Sequence, residues 1–185
     1  MLLTVSKRLE FSASRRLFVK SWSEAENIAA FGPETSAQYG TGRNYVAFFV
    51  FSGVVDTTTG MLMNISEIKS RVEKILHDHF DHKFLNEDNP AFSDLPPTTE
   101  NIARQLIAAA SSLFDDTEAR LVACHLQELR DRSATFDVRG ISAANYWFEF
   151  SSGRQTMSPH LPAKATEKLF DAAPFPVVWG VEKKA

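Results

Sequence analysis

Gly40-Thr41-Gly42-Arg43-Asn44-Tyr45 closes a loop that begins at Phe31-Gly32 and opens an apolar run, Tyr45-Val46-Ala47-Phe48-Phe49-Val50-Phe51. Two glycines beside a β-rich run describe a loop whose backbone comes close to something, since glycine tolerates positive φ and has no side chain to clash. The run itself predicts a strand over Asn44 to Val55, apolar on both faces for much of its length. Asp56-Thr57-Thr58-Thr59-Gly60 predicts the turn that ends it.

Upstream, Leu3, Val5, Leu9, Phe11 and Ala13 fall on odd positions and predict a strand over Leu3 to Ala13, able to pair with the first in an antiparallel ladder. The basic stretch Ser14-Arg15-Arg16-Leu17-Phe18 follows. Ser21 to Ala30 reads as a short helix or turn, and Phe31 to Arg43 as a loop. Downstream, Ser66 is a candidate cap for a helix reaching His79, with Ile68, Val72, Ile75, Leu76 and His79 at helical spacing. Asp81 to Asn86 reads as a loop. Pro96-Pro97-Thr98 starts a second helix, buried through Ile102, Leu106, Ala109, Ala110 and Leu113. Arg120 to Glu128 is a strand with Leu121, Ala123, His125 and Gln127 on one side and Val122, Cys124 and Leu126 on the other. Ser133 to Val138 is another. The order strand, strand, helix, helix, strand, strand predicts an α+β domain over residues 1–138, with helices on one face of an antiparallel sheet. Residues 139–185 form a C-terminal extension, with a strand expected over Asn145 to Phe150 and a short helix over Lys164 to Ala172.

The chain has 185 residues, 44% hydrophobic and 23% charged, which suits a globular protein with a core of its own. A formal net charge of −3 gives no electrostatic case for nucleic acid. No apolar run reaches membrane-spanning length, and the N-terminus reads as a strand, not a signal peptide. Cys124 is the only cysteine, so no internal disulfide forms and a cytoplasmic setting is expected.

Seven pieces fall in a matching order: Phe11-Ser12-Ala13-Ser14, Phe31-Gly32, Gly40-x-Gly42-x-Asn44-Tyr45, Gly60-Met61-Leu62-Met63, Asp81-His82-Lys83-x-Leu85-Asn86, Pro97-Thr98-Thr99-Glu100-Asn101-Ile102-Ala103, and Glu128. In this the chain resembles the 6-pyruvoyl-tetrahydropterin synthase and 6-carboxy-tetrahydropterin synthase family over about residues 3–138. The resemblance implies the tunnelling fold, in which sheets of small subunits join into a barrel. The implied assembly is a homo-oligomer, commonly a hexamer built from two trimers.

Members of that family bind zinc through three histidines, and the matching positions here are Arg15, Thr41 and Arg43. Arginine stays protonated and offers no lone pair, and threonine is a poor zinc ligand. The family's nucleophilic cysteine follows Phe-Gly; the matching position here is Glu34 or, counted back from Gly40, Thr35. No metal and no cofactor are therefore expected, and the family's usual reaction is not expected either.

The other site parts match. Asp81 and His82 match the family's proton relay, in which a carboxylate orients an imidazole. Glu128 matches the carboxylate that receives paired N–H groups from a pterin ring, and Thr98, Thr99 and Glu100 match the segment that helps hold the ring. Leu129 replaces the threonine that follows the family's carboxylate. Arg15 and Arg43 stand either in a structural ion pair, with Glu34 as partner, or as two fixed cations replacing the metal to hold an anionic group. The functional expectation is a zinc-independent lyase, cyclase or isomerase acting on a small polar, anionic or pterin-like substrate, with Asp81-His82 moving protons and Glu34 as a second base. The alternative is a catalytically silent homologue that binds a pterin or purine, or serves as a structural oligomeric partner.

Overall fold

The structure, a computed structural model, describes residues 1–151 together with 160, 162, 164 and 165. Two strands of equal length carry it. β1 (Leu2–Arg15) and β2 (Thr41–Val54) pair antiparallel along their whole length, from Leu2 opposite Val54 to Arg15 opposite Thr41. The odd-numbered side chains of both strands share one face, as a two-residue period requires. On that face Leu9, Phe11, Tyr45, Phe49 and Phe51 are buried. β2 starts three residues earlier than its apolar run alone indicates, because Thr41 to Arg43 continue the ladder. Within the preceding loop, α1 (Glu24–Phe31) is capped by Ser23 and Glu26 in reciprocal bonds, and Pro33–Ser36 forms a single tight turn.

α2 (Ile65–His79) buries Ile68, Val72 and Leu76 against the sheet. Its cap is Asn64, not Ser66: Asn64 Oδ1 accepts the Ser66 N–H at 2.9 Å, which places Ser66 inside the first turn. His79 is exposed and does not extend the apolar face. The stretch expected as a loop after it holds β3 (Lys83–Phe84), parallel to β1, and a one-turn α3 (Leu85–Asp88). α4 (Thr99–Ala110), capped by Thr98, buries Ile102, Leu106 and Ala110, with Ala109 and Leu113 partly buried.

β4 (Arg120–Leu129) pairs with β2 through a bulge, where Ala123 faces Val50 but Leu121 faces Phe51. The extra residue turns Leu121 to the buried side with Cys124 and Leu126, breaking the alternation expected of this strand. β5 (Arg132–Asp137) and β6 (Ser142–Tyr146) complete a six-stranded sheet of order β3-β1-β2-β4-β5-β6. β6 lies earlier than the expected Asn145 to Phe150, because Gly140, at φ 85°, turns the chain back directly after β5.

Aromatic pairs fill the layer between sheet and helices: Phe11 stacks on Tyr45 with ring centres 4.9 Å apart, and Phe51 meets Phe114 edge-on at 4.6 Å. Each such fully buried ring contributes roughly 1.5–3 kcal/mol. Residues Met1–Trp147 form one compact unit and Phe148–Ala185 a second. The helix expected over Lys164 to Ala172 lies, past its first two residues, outside the described residues. Among the described residues no helix is long and apolar enough to cross a membrane.

Candidate functional site

Strand parity places the first cluster. Arg15 continues the buried side of β1 after Leu9, Phe11 and Ala13, and Arg43 and Thr41 continue the buried side of β2 beyond Tyr45. Arg15 lies opposite Thr41 and Ala13 opposite Arg43, so the three residues that the resemblance matches to metal ligands meet on one face at one end of the sheet. Glu128, near the end of β4, shares parity with Cys124 and Leu126 and is only 3% exposed. Thr99, at the start of α4, stands over it.

Arg15 Nη2 donates to Glu128 Oε1, with both side chains almost wholly buried. Arg43 Nε donates to the same oxygen at 3.1 Å, and Thr99 Oγ1 donates to Oε2 at 2.6 Å. Arg43 Nη2 reaches Glu34 Oε2 at 2.8 Å, which realises for Arg43 the ion pair considered from sequence, whereas Arg15 pairs with Glu128 instead. Glu34 is placed by the turn Pro33–Ser36, which Arg16 pins through its Nε bond to the Thr35 carbonyl at 2.5 Å. Burial alone pushes the Glu128 carboxyl up, but Arg15, Thr99 and Arg43 outweigh it and hold it below the usual carboxylate value. Tyr45 is close enough for its phenol to feel both arginines, yet burial dominates and drives its pKa well above normal.

Two guanidiniums thus face two carboxylates, and the formal charges cancel. The cleft lined by Arg15, Glu34, Thr41 and Arg43 leaves about 10 Å³ of free room, about the least that admits a water. This donor set does not fit the zinc that the family resemblance implies. Two of the three positions offer N–H donors already turned to Glu128, and the third offers a neutral hydroxyl. Among the described residues no group of three or more His, Cys, Asp or Glu side chains is placed to hold a metal.

The second cluster lies where α2 ends. Asp81 Oδ1 accepts the Ser12 N–H at 2.8 Å, and the His82 N–H returns to the Ser12 carbonyl at 2.6 Å. Both polar groups of one β1 residue therefore clamp the Asp81-His82 pair. His82 has φ 56°, the one positive value outside glycine among the described residues. That left-handed turn lets Asp81 Oδ2 reach His82 Nδ1 at 2.8 Å while the ring stays 82% exposed. Burial pushes the Asp81 carboxyl up, but the Ser12 amide and His82 prevail and keep it below its usual value. An ionised carboxylate only accepts, so Nδ1 carries the proton and Nε2 is left for a substrate.

His82 opens on a cavity of about 400 Å³ lined also by Ser12, Ser14, Asn44, Lys83 and Arg43. Arg43 lines both clefts. Thr98 caps α4 by accepting the Asn101 N–H at 3.3 Å, and Glu100 lies in the first turn, where the helix dipole favours an acid. His77 and His79 are exposed on α2, and Cys124 is buried in β4, its thiol pushed up to about 12 by burial. A further cavity, about 220 Å³, is lined by Phe18, Lys20, Asn86, Phe92 and Leu95. Sequence reasoning missed it, because it is assembled from irregular segments with no periodic signal.

Comparison with known proteins shows what the chain is similar to. The family model described as 6-pyruvoyl tetrahydropterin synthase matches residues 4–139. The 6-pyruvoyl tetrahydrobiopterin synthase of Pongo abelii is 42% identical over 99 residues, covering 54% of this chain and 68% of that protein. The Homo sapiens protein of the same name is 41% identical with the same coverage. The solved Caenorhabditis elegans 6-pyruvoyl tetrahydropterin synthase superposes with a TM-score of 0.68 at 28% identity, over 74% of this chain and 96% of that one.

Proposed function

The chain belongs to the 6-pyruvoyl tetrahydropterin synthase family, and on that premise we propose that it is a zinc-independent enzyme, a lyase, cyclase or isomerase, that moves a proton on a small anionic substrate. The observation that carries this is the Asp81-His82 pair, clamped to Ser12 with its ring turned outward by a left-handed backbone. A left-handed non-glycine residue, held by the bonds of residues 81 and 82 to Ser12 and facing an exposed polar cavity, supports chemistry there.

In this mechanism Nε2 of His82 takes a proton from the substrate. Asp81, ionised and hydrogen-bonded to Nδ1, stabilises the imidazolium that forms. The same imidazolium then returns the proton: to a neighbouring carbon in an isomerisation, to the leaving oxygen as its bond to carbon breaks in an elimination, or to the carbonyl oxygen as the deprotonated atom bonds to its carbon in a ring closure, so that no step needs a redox partner. Lys83 lines the cavity with positive charge and suits a carboxylate or phosphate on the substrate, while Arg43 beside it is paired with Glu34 and Glu128. Ser12, Ser14 and Asn44 supply neutral polar contacts. Glu34, exposed and paired with Arg43, which lines both clefts, serves as a second base. A trimer-based homo-oligomer belongs to the same proposal, and light scattering on the eluting protein reads it.

One observation favours the second reading, a catalytically silent homologue: the cluster around Glu128 is satisfied from within. The deciding experiment incubates the purified chain with pterins, purines and small carboxylates, with and without added zinc, and follows turnover and binding in the parent and in His82→Asn. Turnover without zinc that His82→Asn abolishes supports the enzyme. Activity only with stoichiometric zinc, or binding without turnover throughout, overturns it.

A further inference from the structure

We propose that the cavity between the β1–α1 connection and the segment that follows β3 is a binding site for a small organic ammonium: one ring or branched aliphatic body that carries a single protonated amine. This cavity shares no lining residue with the one at His82, so the inference does not depend on the chemistry proposed there.

Its walls are rigid. On one side Asn27, buried in α1, accepts the Val19 N–H at 2.7 Å and donates to the Val19 carbonyl at 3.1 Å. On the other side Asn89, also buried, accepts the Ala91 N–H at 3.0 Å and donates to the His79 carbonyl at 3.0 Å. Asn86 ties the two sides together: its Oδ1 accepts the Arg16 N–H at 2.8 Å and its Nδ2 donates to the Arg16 carbonyl at 2.9 Å. Walls held by such paired bonds do not collapse, and a ligand loses little free energy in ordering them.

Size and lining set the body of the ligand. The cavity measures about 220 Å³. That is below the range of drug-sized sites, which begins near about 300 Å³, and above the roughly 150 Å³ that holds a benzene ring. Phe18, Phe92 and Leu95 give it apolar surface. The Arg16 guanidinium stands over the Phe18 ring at 4.6 Å, and Phe92 packs edge-on against Phe80 at 6.5 Å, so both rings are held in place.

Charge sets the ligand's polar end. Three charged side chains line the cavity, Lys20, Glu87 and Asp94. Lys20 Nζ meets Asp94 Oδ1 at 3.3 Å, and the two charges cancel. Glu87 is exposed and has no ion pair among the described residues. One carboxylate is therefore left over beside an apolar surface. An ammonium on an apolar body answers both. A carboxylate in the same place is repelled, and a zwitterion has to break the Lys20–Asp94 pair to settle its acid group.

The test titrates the full chain at neutral pH with four probes, followed by amide shifts in two-dimensional NMR. They are 2-phenylethylamine, which is protonated; 2-phenylethanol, which is neutral; 3-phenylpropionate, an anion; and methylamine, the charge without the body. The aromatic amine is expected to saturate with a Kd of about 1 mM or tighter, shifting Val19, Lys20, Glu87 and Asp94. The alcohol should bind about three- to fivefold more weakly, the worth of one exposed ion pair. The acid should bind more weakly still, and methylamine not measurably. Glu87→Gln should bring the aromatic amine down to the alcohol's affinity and leave the melting temperature near the parent's, since the side chain is exposed. Equal affinity for the three phenyl probes overturns the proposal, as does tighter binding of the acid, no saturation by the amine, or an amine affinity that Glu87→Gln leaves unchanged. Shifts confined to Ser12, Asn44 and Lys83 overturn it too, because they place the amine in the other cavity.

Discussion

Ser12 holds Asp81: the main-chain N–H of the one reaches Oδ1 of the other at 2.8 Å across 69 positions of sequence. The bond joins the end of α2 to β1, which pairs with β2 along its whole length. His82, which leans on Asp81 through its other oxygen, therefore takes its position from the sheet.

His82→Asn is expected to lower turnover by about 10²–10⁴-fold, the usual worth of a positioned proton carrier. Asparagine tolerates the left-handed turn, so the melting temperature stays near the parent's. Asp81→Asn lowers turnover as well, since an amide no longer stabilises the imidazolium. Steady-state rates beside thermal melts check both, and parent-like rates in His82→Asn rule out its role.

Gly40 ends the loop and Gly42 lies just inside β2, but only one is irreplaceable. Gly40 has φ 70°, and a Cβ there would stand 2.5 Å from the Arg15 carbonyl oxygen, whereas a Cβ on Gly42 meets nothing within 4 Å. Gly40→Ala should cost more than about 2 kcal/mol, from the left-handed backbone plus the clash. Gly42→Ala should fall within about 0.5 kcal/mol of the parent. Urea unfolding separates them.

Stability should fall in acid through Glu128. Its folded pKa is depressed, so its contribution is complete above the unfolded value of about 4.3 and disappears as pH drops through the lower folded value. Asp81, also depressed, acts in the same direction. Urea midpoints at neutral pH and below the carboxylate range should show a steep loss in the parent and a shallower one in Glu128→Gln.

Cys124 should resist thiol reagents in the native state. It is buried, and its thiol is pushed up to about 12, so almost no thiolate exists at mildly alkaline pH. A chromogenic disulfide should label it rapidly in strong urea and very slowly without it. Fast labelling of the native chain would mean that β4 opens.

Much of this was legible in the residues. The paired strands, both long helices and the order of the seven family pieces follow from periodicity, caps and glycines. From charge, Glu34 was a partner for Arg15 and Arg43 alike, and only Arg43 takes it. The pair Arg15–Glu128 was not legible, although a signal existed: position 15 has the parity of Phe11 and Ala13, so the arginine had to turn inward and find a buried acid. β3 escaped notice because two residues carry no period. The inward turn of Leu121 escaped because a bulge is invisible in one strand read alone. The left-handed backbone at His82 is set by the bonds of residues 81 and 82 to Ser12, which no local pattern announces.

The ladder of β1 and β2 closes at Arg15 and Thr41, the pair nearest the long connection between them. Joining chain ends over a span on the order of 25 residues costs roughly 3 kcal/mol of entropy beyond a constant, and that tension pulls on the last rung. Arg15, anchored in β4 through Glu128, acts there as a clasp. Loosening it should appear first as fraying, with faster amide exchange spreading inward from Thr41, before any change in the cooperative melting of the core.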